Sequence, residues 1–306
     1  MSYSCRIIAD SASEEYIRLT TFEITFPRII LSEFRTHRLE SADDEAQTSF
    51  MGMDEVGRSI SMNSGSSRAI PVSKILERVK DDPFIPVHWG ENQKGMQAVK
   101  ELSLQEQELA KSLWLRARDQ SVYIAETLIG KHPISVEAES RVREDSVFHL
   151  NVHKQIANRL LEPWMWQTCI MSATNWSNFF AQRSHPDAQP EIRTISDMML
   201  KEYNVSTPKT LLLGEWHLPY IQEDELELPI DLLKKLSSAR CARVSYLTQN
   251  GIRENNLDLD LFQRLISGSH WSPLEHVATP WKGIPCDLGN YKGWLQYRKM
   301  FAEESR

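Results

Sequence analysis

The sequence predicts an α+β protein, and three observations carry that expectation. Residues 15–26 (EYIRLTTFEITF) end with Phe22, Ile24 and Phe26 at alternate positions, the period of a half-buried strand. Residues 103–130 carry apolar positions at helical spacing behind a capping signal. Residues 172–183 and 187–201 read as two further helices around the turn RSHPD. Strand and helix signals together give the α+β class.

Taken in order, Pro27 closes the first strand and can open a helix, predicted over 28–38 (RIILSEFRTHR). Residues 39–58 are acidic, contain Gly52 and Gly57, and read as an inserted loop. Residues 59–70 (SISMNSGSSRAI) contain five serines. That composition suits a linker, or a loop packed around phosphate, because small residues let backbone amides approach an anion. In the long helix Ser103 and Glu106 form a capping box, and Gly130 and Pro133 stop it. Leu109, Leu113, Ala117, Ile124 and Leu128 share one face, which predicts a core scaffold. Residues 146–162 suggest a helix ended near Pro163, and 204–230 a proline-punctuated, irregular arm. A helix leading to a short strand or turn is expected over 230–246, an amphipathic helix over 257–267, and a helical tail over 282–306. The stretch from Pro83 to Gln97 suits either an ordered surface loop or the lining of a site. No repeat and no clean domain boundary is visible, so 1–306 is expected to form a single domain.

With 306 residues, 41% of them hydrophobic and 25% charged, the chain can bury a large core. Disordered, collagen-like and disulfide-scaffold classes are excluded on the same ground. Cys5, Cys169, Cys241 and Cys286 lie far apart and form no CxxC pair, which suits a reducing cytoplasm and removes zinc ribbons. A net charge of −7 argues against a nucleic-acid polymer as partner, but leaves room for a nucleotide site built from a few local cations. The first residues lack a signal-peptide plan, and no apolar run reaches the ~20 residues of a membrane span. A cytoplasmic protein with no membrane partner is expected.

Arg35, Arg38, Arg68, Arg159, Arg183, Arg193, Arg240 and Arg243 stand in apolar or small-residue contexts. For any one of them a structural ion pair is the commoner role, whereas the set as a whole suits a polyanionic ligand. There is no GxGxxG, GxxxxGK[ST] or GxSxG, so Rossmann, P-loop and serine-hydrolase readings have no support. His270, Glu275 and His276 do not have zinc spacing, and Pro273 breaks any helix between the histidines, so no metal site is expected. Cys169 and Cys241 are expected to be buried and inert.

Three segments together resemble the flavin-dependent thymidylate synthases, the ThyX family. Thr36-His37-Arg38 followed by Ser61 to Arg68 is similar to the family's Arg-His-Arg and Ser-x-Arg signature. Arg159 to Pro163 with Thr168, then Asn178-Phe179-Phe180, Arg183 and Asp187 to Arg193, is similar to its second block. Ala239 to Ser245 with Gly268 to His276 is similar to a block that, in ordinary members, precedes the first. The chain thus looks circularly permuted, with 237–281 as the displaced block. The departures are Thr36 for the first arginine, Glu33 for a glutamine, Ser64 for a glutamate, Ala181 and Asp187 for two flavin-contacting asparagines, and Cys169 for a phosphate-binding arginine. Pro285-Cys286 resembles the nucleophile of the other thymidylate synthases, with nothing else of that family around it.

The resemblance implies a central sheet with long packed helices, and methylation of C5 of dUMP. It implies 5,10-methylenetetrahydrofolate as carbon donor, FAD as the redox cofactor, NADPH as its reductant, and a homotetramer with sites shared between subunits. It assigns catalysis to Arg193 and Ser66, with Arg193 stabilising charge on the pyrimidine. FAD falls to His37, Arg38, Ser61, Arg183, Asp187 and His276. The pyrimidine nucleotide falls to Glu33, Thr36, Ser64, Ser66, Ser67, Arg68 and Arg193. The altered positions leave three alternatives: UMP or a cytosine nucleotide as substrate, with a methyl or hydroxymethyl product; a nucleotide-binding protein without redox activity; or an unrelated helical scaffold.

Overall fold

A computed structural model describes residues 2–36, 60–67, 70–95, 97–135, 147–246, 253–283 and 289–305. In chain order the elements are β1 (Ser4–Ser13), β2 (Arg18–Pro27), α1 (Leu31–Thr36), β3 (Ser61–Ser64), α2 (Val72–Asp81), α3 (Leu104–Leu128), β4 (Ile134–Ser135) and β5 (Val147–Phe148). There follow α4 (Lys154–Ala157), β6 (Trp166–Ala173), α5 (Ser177–Arg183), α6 (Pro190–Val205) and β7 (Lys209–Leu211). The chain continues through α7 (Ile230–Tyr246), α8 (Asn255–Ser267), β8 (Ala278–Pro280) and β9 (Trp294–Gln296). The α+β class holds. The chain divides into two compact units, one comprising Pro27–Leu31 and Gly65–Gln167 with the first two residues, the other comprising Tyr3–Phe26, Ser32–Ser64 and Thr168–Arg306.

The larger unit is built on a five-stranded sheet of order β3-β6-β2-β1-β7. β1 and β2 form an antiparallel hairpin, Ser11 facing Leu19 and Cys5 facing Ile24, while β3 runs antiparallel to β6 with Ser61 facing Ser172. β2 is the central strand and is buried on both sides. Phe22, Ile24 and Phe26 line one face; Leu19, Thr21 and Thr25 line the other, all of them buried. The alternation expected for 15–26 is therefore present, but the strand is not half-buried, because its second face is covered as well. Side chains two apart share a face, so Ser11, Thr21, Ser172 and Ser61 all stand on that second face. It is lined with hydroxyls.

The two faces are covered differently. Over the apolar face, Phe22 meets Trp176 at 5.2 Å and Phe34 stacks on Phe179 at 5.6 Å, which seats α1 and α5. α6 contributes buried Ile192, Ile195 and Met199. Over the hydroxyl-lined face, Cys241 and Val244 of α7 pack on Ile170. α7 is tied to α8 by a buried ion cluster. Arg240 makes two 2.7 Å bonds to Glu225 and one of 3.0 Å to Asp258, and Arg243 meets Asp258 at 2.6 Å. Both arginines are thus structural pairs.

The smaller unit is helical. α3 starts on the Ser103–Glu106 capping box and ends before Gly130, whose φ of +84° needs a residue without a Cβ. The face predicted to be core is instead the open one: Leu109 is 62% exposed, Leu113 54% and Ile124 48%. The helix packs through Trp114, Arg118, Val122 and Ala125, a face that mixes aromatic, charged and small residues and so carries a weaker periodic signal. Trp114 donates to the carbonyl of Phe84 at 2.9 Å and touches Trp89 and Trp164, so Pro83 to Gln97 is anchored by aromatic packing.

Several boundaries differ from the sequence expectation. The serine-rich stretch contains strand β3. Residues 146–162 hold β5, one turn of helix and a 3-10 segment (Asn158–Trp164) containing Pro163. Residues 172–173 end strand β6, and α5 begins only at Ser177. α7 stays helical to Tyr246, and the tail holds β9 and 3-10 turns. The insertion at 39–58 and Cys286 lie outside the described residues.

Candidate functional site

The α5–turn–α6 connection gathers Arg183, Asp187 and Arg193. Arg183 closes α5, and its Nε is buried with no hydrogen-bond partner among the described residues. Asp187 lies exposed in the turn, its N–H donating to Nδ1 of His185 at 3.2 Å. Pro190 at the first helical position opens α6, and Arg193 in its opening turns donates to the carbonyl of Pro186 at 2.9 Å. The two helices are pinned by Ser184 and Ser196, whose hydroxyls are 2.9 Å apart. Two guanidinium-bearing residues thus flank one tight turn.

Ser61 and His276 lie on the opposite, hydroxyl-lined face. Ser61 accepts from Asn290 and from Gln296, both at 3.0 Å. Glu275 is paired with Arg298 at 3.1 Å, and burial pushes its carboxyl upward against that arginine. His276 is wholly buried, with Nδ1 2.8 Å from the hydroxyl of Ser172. Burial, reinforced by His217, pushes His276 down to about 3, so the ring is neutral at pH 7. Within one chain, the arginine pair and the Ser61–His276 group therefore occupy different faces of the sheet.

The remaining expected residues are distributed as follows. Glu33, in α1, accepts from Ser32 at 2.8 Å. Thr36 ends that helix, and Ser64 ends β3. Ser66 and Ser67 belong to the smaller unit. There Ser67 is buried and donates to Glu162 at 2.6 Å, and Arg28 and Arg159 each reach the same oxygen at 2.9 Å. Burial would raise Glu162, but Ser67 and the two arginines hold it below the usual carboxylate range. The Ser67 hydroxyl thus serves a structural cluster. His37, Arg38 and Arg68 lie outside the described residues.

His217, Thr21 and Ser172 are not among the residues expected at the site, yet they pack beside His276. A visible signal existed for Thr21, a polar residue set among apolar ones in a strand. For His217, in an irregular arm, there was none. Among the described residues no cluster could hold a metal ion, and no helix is long and apolar enough to cross a membrane. Cys5 is partly exposed, and Cys169 and Cys241 are buried.

A family model described as thymidylate synthase complementing protein (Thy1) matches residues 17–209, more than half of the chain. The chain belongs to that family. Among solved structures it is similar to the UMP/dUMP methylase PolB from Streptomyces cacaoi bound with 5-Br UMP, with a TM-score of 0.44 and 12% identity over 66% of this chain and 88% of that one. It is similar also to the flavin-dependent thymidylate synthase ThyX from Helicobacter pylori complexed with FAD and dUMP, with a TM-score of 0.35 and 15% identity over 60% of this chain and 67% of that one. No curated protein matches the chain.

Proposed function

We propose that this protein transfers a one-carbon unit from 5,10-methylenetetrahydrofolate to C5 of a pyrimidine nucleotide, converting dUMP to dTMP, with FAD as redox cofactor and NADPH as its reductant. The observation that carries this reading is the family match across 17–209, which contains the α5–α6 arginine pair. The buried Nε of Arg183, a donor with no partner among the described residues, fits a phosphate-bearing cofactor. Arg183 and Asp187 hold FAD together with His37, Arg38, Ser61 and His276. When bound, the flavin supplies the redox equivalents that the side chains lack. Arg193 orients the pyrimidine and stabilises negative charge as C5 becomes nucleophilic. Ser66 and Arg68, with Glu33, Thr36 and Ser64, bind the nucleotide, while Ser67, its hydroxyl engaged by Glu162, supports the loop that carries them.

The two groups of site residues lie on opposite faces of one sheet. A site composed of both therefore draws on a second chain, which supports a homotetramer with shared sites. The scattered cysteines, with no CxxC pair, suit a cytoplasmic location. The order of the resembling blocks supports a circularly permuted chain forming one catalytic domain over 1–306.

The test is the visible spectrum of purified protein with FAD, before and after dUMP. Flavin bands perturbed by nucleotide are expected; a protein that cannot be loaded with FAD refutes the reading and leaves a non-redox nucleotide-binding protein. Thr36 and Ser64 favour a second substrate reading, UMP or a cytosine nucleotide, with a methyl or hydroxymethyl product. Turnover of a nucleotide panel, read by product mass, decides between them.

A further inference from the structure

Gly65, Ser66 and Ser67 have no apolar side chain to bury, so packing of their own side chains cannot fix their backbone. The loop they open is held from outside, by one segment of the same unit. Gln167 donates from Nε2 to the carbonyl of Gly65 at 3.2 Å. Asn158 donates from Nδ2 to the carbonyl of Ser67 at 2.6 Å and to that of Ile70 at 3.0 Å. The Ser67 hydroxyl gives its proton to Glu162. Arg28 braces the segment, reaching both Glu162 and Oε1 of Gln167.

Asn158 is the centre of this grip and is wholly buried. Its partners settle its orientation. A carbonyl oxygen only accepts, so the amide nitrogen faces both carbonyls and both of its protons are used. The turned amide would set three acceptors against one another in a dry interior. One side chain thereby ties together two points of the loop three residues apart. The grip also sets which way the loop faces. A trans peptide directs its C=O and the following N–H to opposite sides, so holding the Gly65 carbonyl turns the N–H of Ser66 away from Gln167. Gly65 and Ser67 are buried and Ser66 between them is half-buried, which puts Ser66 on the open side.

We propose that Asn158 is a positioning residue for the nucleotide: its two bonds to loop carbonyls hold Ser66 in order before the ligand arrives. Binding then avoids the cost of ordering the loop. The proposal rests on the reading above, in which Ser66 binds the nucleotide. Asn158 acts only through the loop.

The experiment pairs hydrogen exchange of the peptide spanning 64–70, measured without ligand, with calorimetric titration of dUMP and of UMP, in the presence and absence of FAD. Asn158→Leu is close in size and has no donor. It should speed exchange in that peptide and weaken the nucleotide about 10-fold or more, the factor that fixing the backbone of one residue represents. FAD affinity should stay unchanged. Ser103→Ala loosens the same unit at a helix cap and should move neither readout. If it weakens the nucleotide as much as Asn158→Leu does, general destabilisation accounts for the effect and the proposal falls. If Asn158→Leu fails to fold, Gln167→Met releases the Gly65 end and should give the same paired change. Unchanged exchange, or faster exchange with nucleotide affinity intact, overturns the proposal. An unaltered protein that binds nucleotide but not FAD refutes the flavin reading, while both measurements still decide the role of Asn158. An unaltered protein that binds neither nucleotide refutes the reading beneath the proposal, and the proposal with it.

Discussion

Arg193 and the buried histidine pair are the residues whose chemistry can be tested one at a time. Arg193 stands in the opening turns of α6, held by one bond to the Pro186 carbonyl. Arg193→Ala should leave the fold and FAD binding intact and lower turnover about 10²-fold or more, the usual cost of removing a group that stabilises developing charge. Steady-state kinetics beside a flavin titration check this, and unchanged turnover removes Arg193 from the reaction. His217 and His276 make acid stability predictable. Their rings are pushed down to about 3 by burial, which outweighs the opposing pull of Asp10 on His217. In the unfolded chain each titrates near about 6.5. As pH falls below that value the unfolded state takes up protons that the folded state refuses. The contribution is intact above pH ~6.5 and is lost by about 1.4 kcal/mol per pH unit for each ring as pH falls toward 3. Urea unfolding at steps between pH 7 and 5 should show it, before the carboxylates titrate.

At the scale of the element, α3 shows how far a helix can be read in advance. Its two ends were legible because capping is local chemistry: Ser103 and Glu106 exchange bonds across one turn, and Gly130 adopts a positive φ. Ser103→Ala should cost about 1 kcal/mol in chemical denaturation. Its buried side was not legible. A stripe of leucines at helical spacing looks like a core face, but the face that packs is led by Trp114, Arg118, Val122 and Ala125. Leu113→Gln should therefore change the stability of an isolated chain by no more than about 0.5 kcal/mol, whereas the same change at Val122 should be severe. β2 makes the complementary point. Its alternating pattern named the strand, but its second face, with Thr21 and Thr25, reads as solvent-facing in a sequence and is core in the fold.

At the scale of the whole molecule, the two groups of site residues lie on opposite faces of one sheet, so the proposed site draws on more than one chain. FAD added to the protein should sediment with an oligomer and be released as the oligomer dissociates on dilution; flavin bound stoichiometrically to a monomer contradicts that arrangement. The sequence by itself determined what depends on near neighbours and on composition: the α+β class, the two ends of α3, the apolar face of β2, the turn between Arg183 and Arg193, and the family resemblance carried by short blocks. Only the tertiary structure decided which face of α3 is covered, that the serine-rich stretch supplies a strand, and that Ser11, Thr21, Ser172, His217 and His276 meet. Those contacts join residues up to 206 apart in the chain. The packing that brings them together depends on the summed burial of many side chains, whereas a sequence pattern reports only on a residue and its neighbours within a turn or a strand.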